Sequence, residues 1–456
     1  MNGLILCACI IAFPFLATAA VDTKSTFEPS RSQRRGAGVP TSQETIRVRL
    51  SKIKADTVTV TGLSLRFPGM PQGLAGFRAL RLRHQAPMAP GLPPTWIVTD
   101  RDRGQEITRL KAKSFEFVGN TIRVNLKPVP NRVAFAASEF SSQAASSIDV
   151  VSTLDIEDYL RGVLPSEMPA SWPVEALKAQ AVAARTFALF RKFQKSQSRS
   201  NFDVESDVMD QVFNHPLLSD VTKTRLANVD KAIDGTRAVV LLDPRNQAFQ
   251  AYFHADCGGR TEEATAVWGG KETLGTAIDG SCPMNPRATW TASYSGRDLA
   301  KLLAKSPLTS ALFANSAAVF GVQIVKRTNS GRIDEMLVSM TDRLGGTRVA
   351  TLSGHAFRMA VGFNTIKSTQ FTIEPRGALN SKSGLNFALA GQGYGHGVGM
   401  CQWGAKQMAR EGKSYQAILK HYYPKAKLEQ LIHVAPEGIS AVNGPEYASI
   451  TSPKRL

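Results

Sequence analysis

Ser171-Trp172-Pro173-Val174-Glu175-Ala176-Leu177-Lys178-Ala179-Gln180-Ala181-Val182-Ala183-Ala184-Arg185-Thr186 is the stretch whose reading decides the fold class. Leu177, Ala181, Ala184 and Ala188 recur at helical spacing, and the many alanines let another element pack closely. Ser171 is placed to cap this helix, Pro173 is tolerated in its first turn, and Glu175 there complements the helix dipole. Residues 154–193 therefore hold the clearest helical signal of the chain. Moving toward the N-terminus, the period of the apolar pattern drops to two. Ile46, Val48 and Leu50 alternate, then Val58, Val60 and Leu63, then Thr121-Ile122-Arg123-Val124-Asn125-Leu126. Moving toward the C-terminus, residues 237–242 and 247–254 read as strands, 297–305 as a helix, and 322–327 with 335–340 as a strand pair. Residues 402–411 read as a helix stopped by Gly412, and a second short helix runs from Ser414 to before Pro424. Strands and helices interleave without a regular βαβ rhythm, so the class expected is α+β, with a β-rich N-terminal region and a mixed core.

The 456 residues suffice for two to three units with a substantial core. Lys and Arg number 55 against 37 Asp and Glu, a formal net charge of +18. That sign favours polyanionic partners: nucleic acid, an anionic membrane or an anionic cell wall, or else it serves solubility alone. Residues 3–16 are almost wholly apolar and end in the small-x-small pattern Ala17-Thr18-Ala19, which reads as a signal peptide over residues 1–20 although no Lys or Arg precedes it. The run is too short to span a bilayer, and no later segment resembles a membrane helix. An exported chain points away from nucleic acid and toward the cell envelope, periplasmic or extracellular, with no stable membrane anchor. Residues 21–44 read as a flexible basic lead, 45–150 as the β-rich part, 151–435 as the core and 436–456 as a tail without pattern. The segment from Pro87 to Pro94 reads as a proline-punctuated loop.

Three stretches carry candidate chemistry. In Leu164-Pro165-Ser166-Glu167-Met168-Pro169 a carboxylate stands between two prolines, which hold it on a rigid extended segment; Glu167 is a general acid/base there, or an ordinary loop glutamate. In Gly391-Gln392-Gly393-Tyr394-Gly395-His396-Gly397-Val398-Gly399-Met400, alternate glycines strip one face so that a ligand can approach the backbone within reach of Tyr394 and His396; otherwise it is a tightly packed glycine strand with a structural histidine. It is neither a P-loop nor a dinucleotide fingerprint, because the glycine spacing and the Gly-Lys-Ser/Thr are wanting. In His254-Ala255-Asp256-Cys257-Gly258-Gly259-Arg260-Thr261-Glu262, His254 and Cys257 have a spacing suited to zinc, with Cys282 or His396 completing the set. Cys7 and Cys9 leave with the signal, and of Cys257, Cys282 and Cys401 the first two close the shorter loop and are the expected disulfide. Cys401 is then a buried free thiol.

Together these residues resemble a known family. Leu154-x-x-Glu157-Asp158-Tyr159-Leu160-x-Gly162-Val163, Pro165-Ser166-Glu167-Met168-Pro169, residues 175–186, and Gly395-His396-Gly397-Val398-Gly399-Met400-x-Gln402-x-Gly404-Ala405 are similar in order to the stage II sporulation protein D/LytB family. The resemblance runs from about residue 45 to residue 430 and takes in Ser330-Gly331-Arg332 and Lys420-His421-Tyr422-Tyr423-Pro424. It implies a lytic transglycosylase acting on peptidoglycan strands stripped of stem peptides, or a lysozyme-like muramidase that hydrolyses the same bond, with a glycan-binding cleft, a single catalytic glutamate at Glu167 and no obligatory cofactor. It further implies that His396, Tyr394 and Gln402 position sugar, and that Lys178, Gln180 and Arg185 support the site. Other members enhance an amidase, and some coordinate zinc near the cleft. Cys401, where serine is frequent in the family, and Cys257 with Cys282 depart from the pattern and leave disulfide and zinc as open alternatives for this chain.

Overall fold

The computed structural model describes residues 44–67, 70, 77–85, 92–137, 147–198, 200–207, 210–214, 220–269, 275–280, 282, 285, 288–377, 385–431 and 454–455. The expected signal peptide, nearly all of the basic lead, most of the proline loop and most of the tail lie outside them. The chain divides into two compact units, one of residues 39–252, 409–418 and 426–456, the other of 253–408 and 419–425. The division falls after Tyr252, whereas residues 150 and 151 lie together inside one strand.

The first unit opens with nine strands: β1 Thr45–Ile53, β2 Thr57–Arg66, β3 Phe77–Gln85, β4 Thr95–Asp100, β5 Glu106–Lys111, β6 Ser114–Val124, β7 Lys127–Pro128, β8 Arg132–Ala137 and β9 Ile148–Asp155. Helices α1 Ile156–Glu167 and α2 Val174–Gln197 follow, then β10 Val204–Glu205, α3 Asp220–Asp234 and β11 Val239–Leu242. The sheet order β10-β1-β9-β8-β6-β2-β3-β4-β5 is antiparallel throughout except for β1 with β10. Its core is the inward half of the alternation: Val58, Val60, Leu82, Trp96, Phe117, Ile122 and Phe135 are buried and pack as one cluster. Two expected core positions fail. The register of β2 shifts after Thr61 and Ser64 takes a positive φ of 53°, so Leu65 is buried and Leu63 is 52% exposed. Asn125 and Leu126, with φ of 45° and 71°, form the turn after β6 and leave Leu126 exposed.

Two further expectations are corrected here. Helix α2 begins after Pro173, whose carbonyl accepts from Ala176 and Leu177, so Ser171 lies upstream of the cap and does not close it. Glu167 is not on an extended segment: it is the last residue of α1, which Asp155 caps by accepting from the Glu157 N–H and which runs through Pro165. Burial of Tyr159, Leu160, Val163 and Leu164 on one face outweighs the hydrogen bond that Pro165 removes near the helix end.

The second unit contains β12 Phe253–His254, α4 Ala264–Trp268, β13 Thr289–Ser295, α5 Gly296–Lys305, α6 Ser310–Phe313, β14 Ser316–Arg327, β15 Ile333–Asp342, β16 Thr347–Ser353, α7 Gly354–Val361, β17 Phe371–Arg376, β18 Asn386–Gln392, β19 Met400–Cys401 and α8 Gln402–Arg410. α9 Tyr415–Tyr422 and β20 Lys427–Gln430 follow, and β20 pairs with β11. Strands β14, β15 and β16 form one antiparallel sheet and β13, β18 and β17 another. Leu299, Phe313, Met336, Val338, Phe357, Ile366, Phe371 and Phe387 belong to the core they share with α5 and α7. The class is α+β, with a β-rich N-terminal region, as the sequence pattern implies. The strand expected over residues 247–254 shrinks to its last two residues, paired parallel with β19. Among the described residues no helix is long and apolar enough to cross a membrane.

Candidate functional site

In the first unit, Glu167 ends α1 half-buried, and its Oε1 accepts the Val212 N–H at 2.8 Å. The segment 210–214 is held along α1 to make that bond. Tyr159 Oη donates to Gln211 Oε1 at 2.9 Å, Gln211 Nε2 donates to the Ala184 carbonyl at 3.2 Å, and Asn214 N donates to the Gly162 carbonyl at 3.3 Å. Gly162 permits this approach: a Cβ there would lie 2.4 Å from the Phe213 ring, which stacks on Tyr159. Ser166 Oγ turns back to the Gly162 carbonyl and accepts from Asn214 Nδ2. A backbone N–H on one oxygen fixes the aim of this carboxylate at the end of α1.

The α2 residues expected near the site take different places. Arg185 is 1% exposed, grips Glu157 through Nε at 3.0 Å and Nη2 at 2.6 Å, and gives Nη1 to the Val239 carbonyl. Glu157 in turn accepts from Ala238 N. Arg185 is thus an interior strut joining α1, α2 and β11, and is not placed to touch a glycan. Gln180 is also fully buried, whereas Lys178 is half-buried, pairs with Glu175 at 2.7 Å and stands over the Tyr415 ring.

In the second unit, the glycine-rich stretch is not a strand beyond Gln392. Gly393, Gly395, Gly397 and Gly399 all adopt positive φ, between 72° and 113°, and bridges Asp256 to Tyr394 and Glu262 to Val398 lace the stretch to residues 254–262. The face that the glycines strip is taken by the protein itself. A Cβ on Gly397 would strike the Arg332 guanidinium at 2.4 Å, and one on Gly395 would lie 2.8 Å from His254 Cβ. His396 Nδ1 accepts from Val398 N, which leaves the ring proton on Nε2; His254 Nδ1 donates to the Val398 carbonyl. Enclosure, then His254, Arg358 and Arg332, pull the His396 pKa well below its ordinary value, and burial with Arg332 pulls His254 down to about 3. Both rings are therefore neutral near pH 7. His396 lines a small pocket with His355, Arg358, Glu262 and Thr328, and Trp268 meets its ring edge-on. Tyr394 is 39% exposed, with Lys367 beside its ring, and Gln402 is buried at the start of α8.

The expected Cys257–Cys282 disulfide is absent: Cys257, Cys282 and Cys401 are all free and buried. They converge with Asp279, their ligating atoms all within 4.8 Å of one another. The sequence spacing of Cys257 and Cys282 hides this, because the third thiol enters from a strand more than a hundred residues later. His254, proposed as a zinc ligand beside Cys257 and Cys282, does not join them; its Nδ1 is spent on Val398 and its Nε2 has no hydrogen-bond partner among the described residues. Arg332, 1% exposed, spans the region by donating to the carbonyls of Arg260 and Cys257. Sequence reading passed over Asp279, Arg358 and His355 and took Arg332 only as part of a turn. The spacing Asp279-x-x-Cys282 was the one available signal for Asp279.

A family model described as Stage II sporulation protein matches residues 144–242, and a domain of unknown function, DUF8618, matches residues 280–399. An uncharacterised protein of Brachyspira hyodysenteriae is 34% identical over 276 residues, covering 60% of this chain and 66% of that protein. The Stage II sporulation protein D of Bacillus amyloliquefaciens is 31% identical over 288 residues, covering 60% and 74%. The Amidase enhancer of Bacillus subtilis is 29% identical over 304 residues, covering 59% of this chain but 40% of its own length.

Proposed function

We propose, from the premise that this chain belongs to the stage II sporulation protein D family, that it cuts peptidoglycan glycan strands with Glu167 as the single acid/base residue. A role in cell-wall processing follows from the family; the bond cut and the catalyst are our reading. The observation that carries it is the Val212 N–H on Glu167 Oε1, a clamp that aims one half-buried carboxylate at the end of α1.

In this reading protonated Glu167 gives its proton to the oxygen leaving the muramyl C1, between N-acetylmuramic acid and N-acetylglucosamine. The carboxylate that remains, held by Val212, then takes the proton of the C6 hydroxyl on the same muramyl sugar as that oxygen attacks C1. The product is a 1,6-anhydro end. An acceptor within the substrate removes the need for the second carboxylate of an ordinary glycosidase. Tyr394, His396 and Gln402 are assigned to sugar binding, with Lys178 supporting Glu175 at the foot of α2. The net charge of +18 suits an anionic wall, and the apolar N-terminal run suits an exported chain.

The match to an amidase enhancer favours a second reading, in which the chain binds wall material and stimulates an amidase without cutting glycan itself. Glu167→Gln on amidase-treated sacculi separates the two. On our reading the variant folds and releases no glycan fragments. On the second, wild type alone releases none either, and both proteins raise amidase activity equally. A zinc-dependent hydrolysis would instead be lost to chelator.

A further inference from the structure

Three thiols and a carboxylate from distant parts of the second unit meet in one buried volume. Cys257 follows the β12 strand, Asp279 and Cys282 lie on the next loop, and Cys401 ends β19 directly ahead of α8. Cys282 Sγ lies 3.5 Å from Cys401 Sγ, and Cys257 Sγ lies 3.4 Å from Asp279 Oδ2. A disulfide requires about 2.05 Å, whereas a tetrahedral ion with arms of about 2.3 Å sets its sulfurs roughly 3.8 Å apart. The mutual limit of 4.8 Å leaves room for one ion and not for a multi-metal cluster.

Backbone donors and a helix end face one of the thiols. Cys401 Sγ accepts two backbone N–H groups, from Cys257 at 3.3 Å and from Gly404 at 3.4 Å, and stands at the positive end of α8. Tyr422 Oη donates to Asp279 Oδ2 at 2.6 Å, the kind of outer hydrogen bond that orients a ligating carboxylate. Gly404 is required for this packing, since a Cβ there would lie 2.0 Å from Tyr422 Oη and 2.1 Å from Asp279 Oδ2. The Arg332 guanidinium, buried beside the thiols and bonded to the Cys257 carbonyl, offsets part of the negative charge. Soft sulfur donors in a closed, four-ligand arrangement select zinc over magnesium or calcium.

We propose that Cys257, Cys282, Cys401 and Asp279 form a structural site for one zinc ion, which ties the residues around His254 and the glycine-rich stretch to the start of α8. The site supplies no open coordination position and takes no part in bond cleavage, so it stands whether or not Glu167 is catalytic. It replaces the disulfide as the cross-link of this unit.

The test is metal analysis of the reduced full-length chain, purified without chelator and without an affinity metal. About one zinc per chain is expected, with X-ray absorption giving three sulfurs near 2.3 Å and one light atom near 2.0 Å. Cobalt exchanged into the site should show thiolate-to-cobalt charge-transfer absorption. Asp279→Asn, which keeps an acceptor for Tyr422, should weaken zinc retention against a competing chelator by at least about tenfold. Cys282→Ser should abolish the cobalt signature. Circular dichroism of both variants reports whether they remain folded. Failure to bind zinc or cobalt in a folded wild-type chain would overturn the proposal, as would a Cys282–Cys401 disulfide found by peptide mapping. A light-atom-only coordination shell would overturn it equally.

Discussion

The two units secure their candidate residues by opposite means. Around Glu167 the first unit uses side chains on regular elements: a bidentate Arg185–Glu157 pair, a capped helix and one backbone N–H presented by a short segment. Around His396 the second unit uses backbone proximity: four glycines at positive φ, a guanidinium pressed against Gly397, and thiols drawn from two loops and a strand. The first kind of site tolerates small backbone shifts and depends on charge pairing. The second depends on the absence of a methyl group at Gly395 and Gly397.

That contrast is broken most severely by removing the strut. Arg185→Ala leaves Glu157 buried without its partner and should cost about 3–5 kcal/mol in denaturant unfolding. A cost below about 1 kcal/mol would mean that the pair does not organise the first unit. In the second unit, Gly397→Ala meets both the Arg332 contact at 2.4 Å and a φ of 84°, and should cost about 2–3 kcal/mol. The same alanine accommodated without loss would show that the stretch is looser than its geometry implies.

The smallest effect is a pH dependence. His254 has a folded pKa near 3 against an ordinary value near 6.5, lowered by burial and by Arg332. A depressed pKa means that the unfolded chain takes up the proton first. The stability tied to the neutral ring is therefore complete above about pH 6.5 and falls as pH drops toward 3. His254→Asn keeps a donor for the Val398 carbonyl and removes the titration. Thermal unfolding of wild type and variant should converge on acidification, and parallel curves would contradict the assignment.

Periodicity made much of the architecture legible. The alternations at Ile46/Val48 and Val58/Val60, the alanine-rich helix and the stop at Gly412 all reappear, because each is set by a local pattern with one buried face. Leu63 and Leu126 misled for a physical reason: a register shift and a left-handed turn invert the alternation without altering the residue types. The motif residues were visible, but their roles were only partly so. Arg185 belongs to the interior, the glycine face is filled by Arg332 and His254, and Cys257 meets Cys401 and Asp279 across separations that no spacing rule spans.

The claim at the centre is that the Glu167 carboxylate moves the proton in glycan cleavage. Mass spectrometry of products from peptide-free glycan strands, treated with wild type and with Glu167→Gln of matched stability, tests it most directly. The account predicts 1,6-anhydromuramyl ends from wild type and a loss of about 100-fold or more with the variant. Anhydro ends produced by Glu167→Gln at the wild-type rate would contradict it.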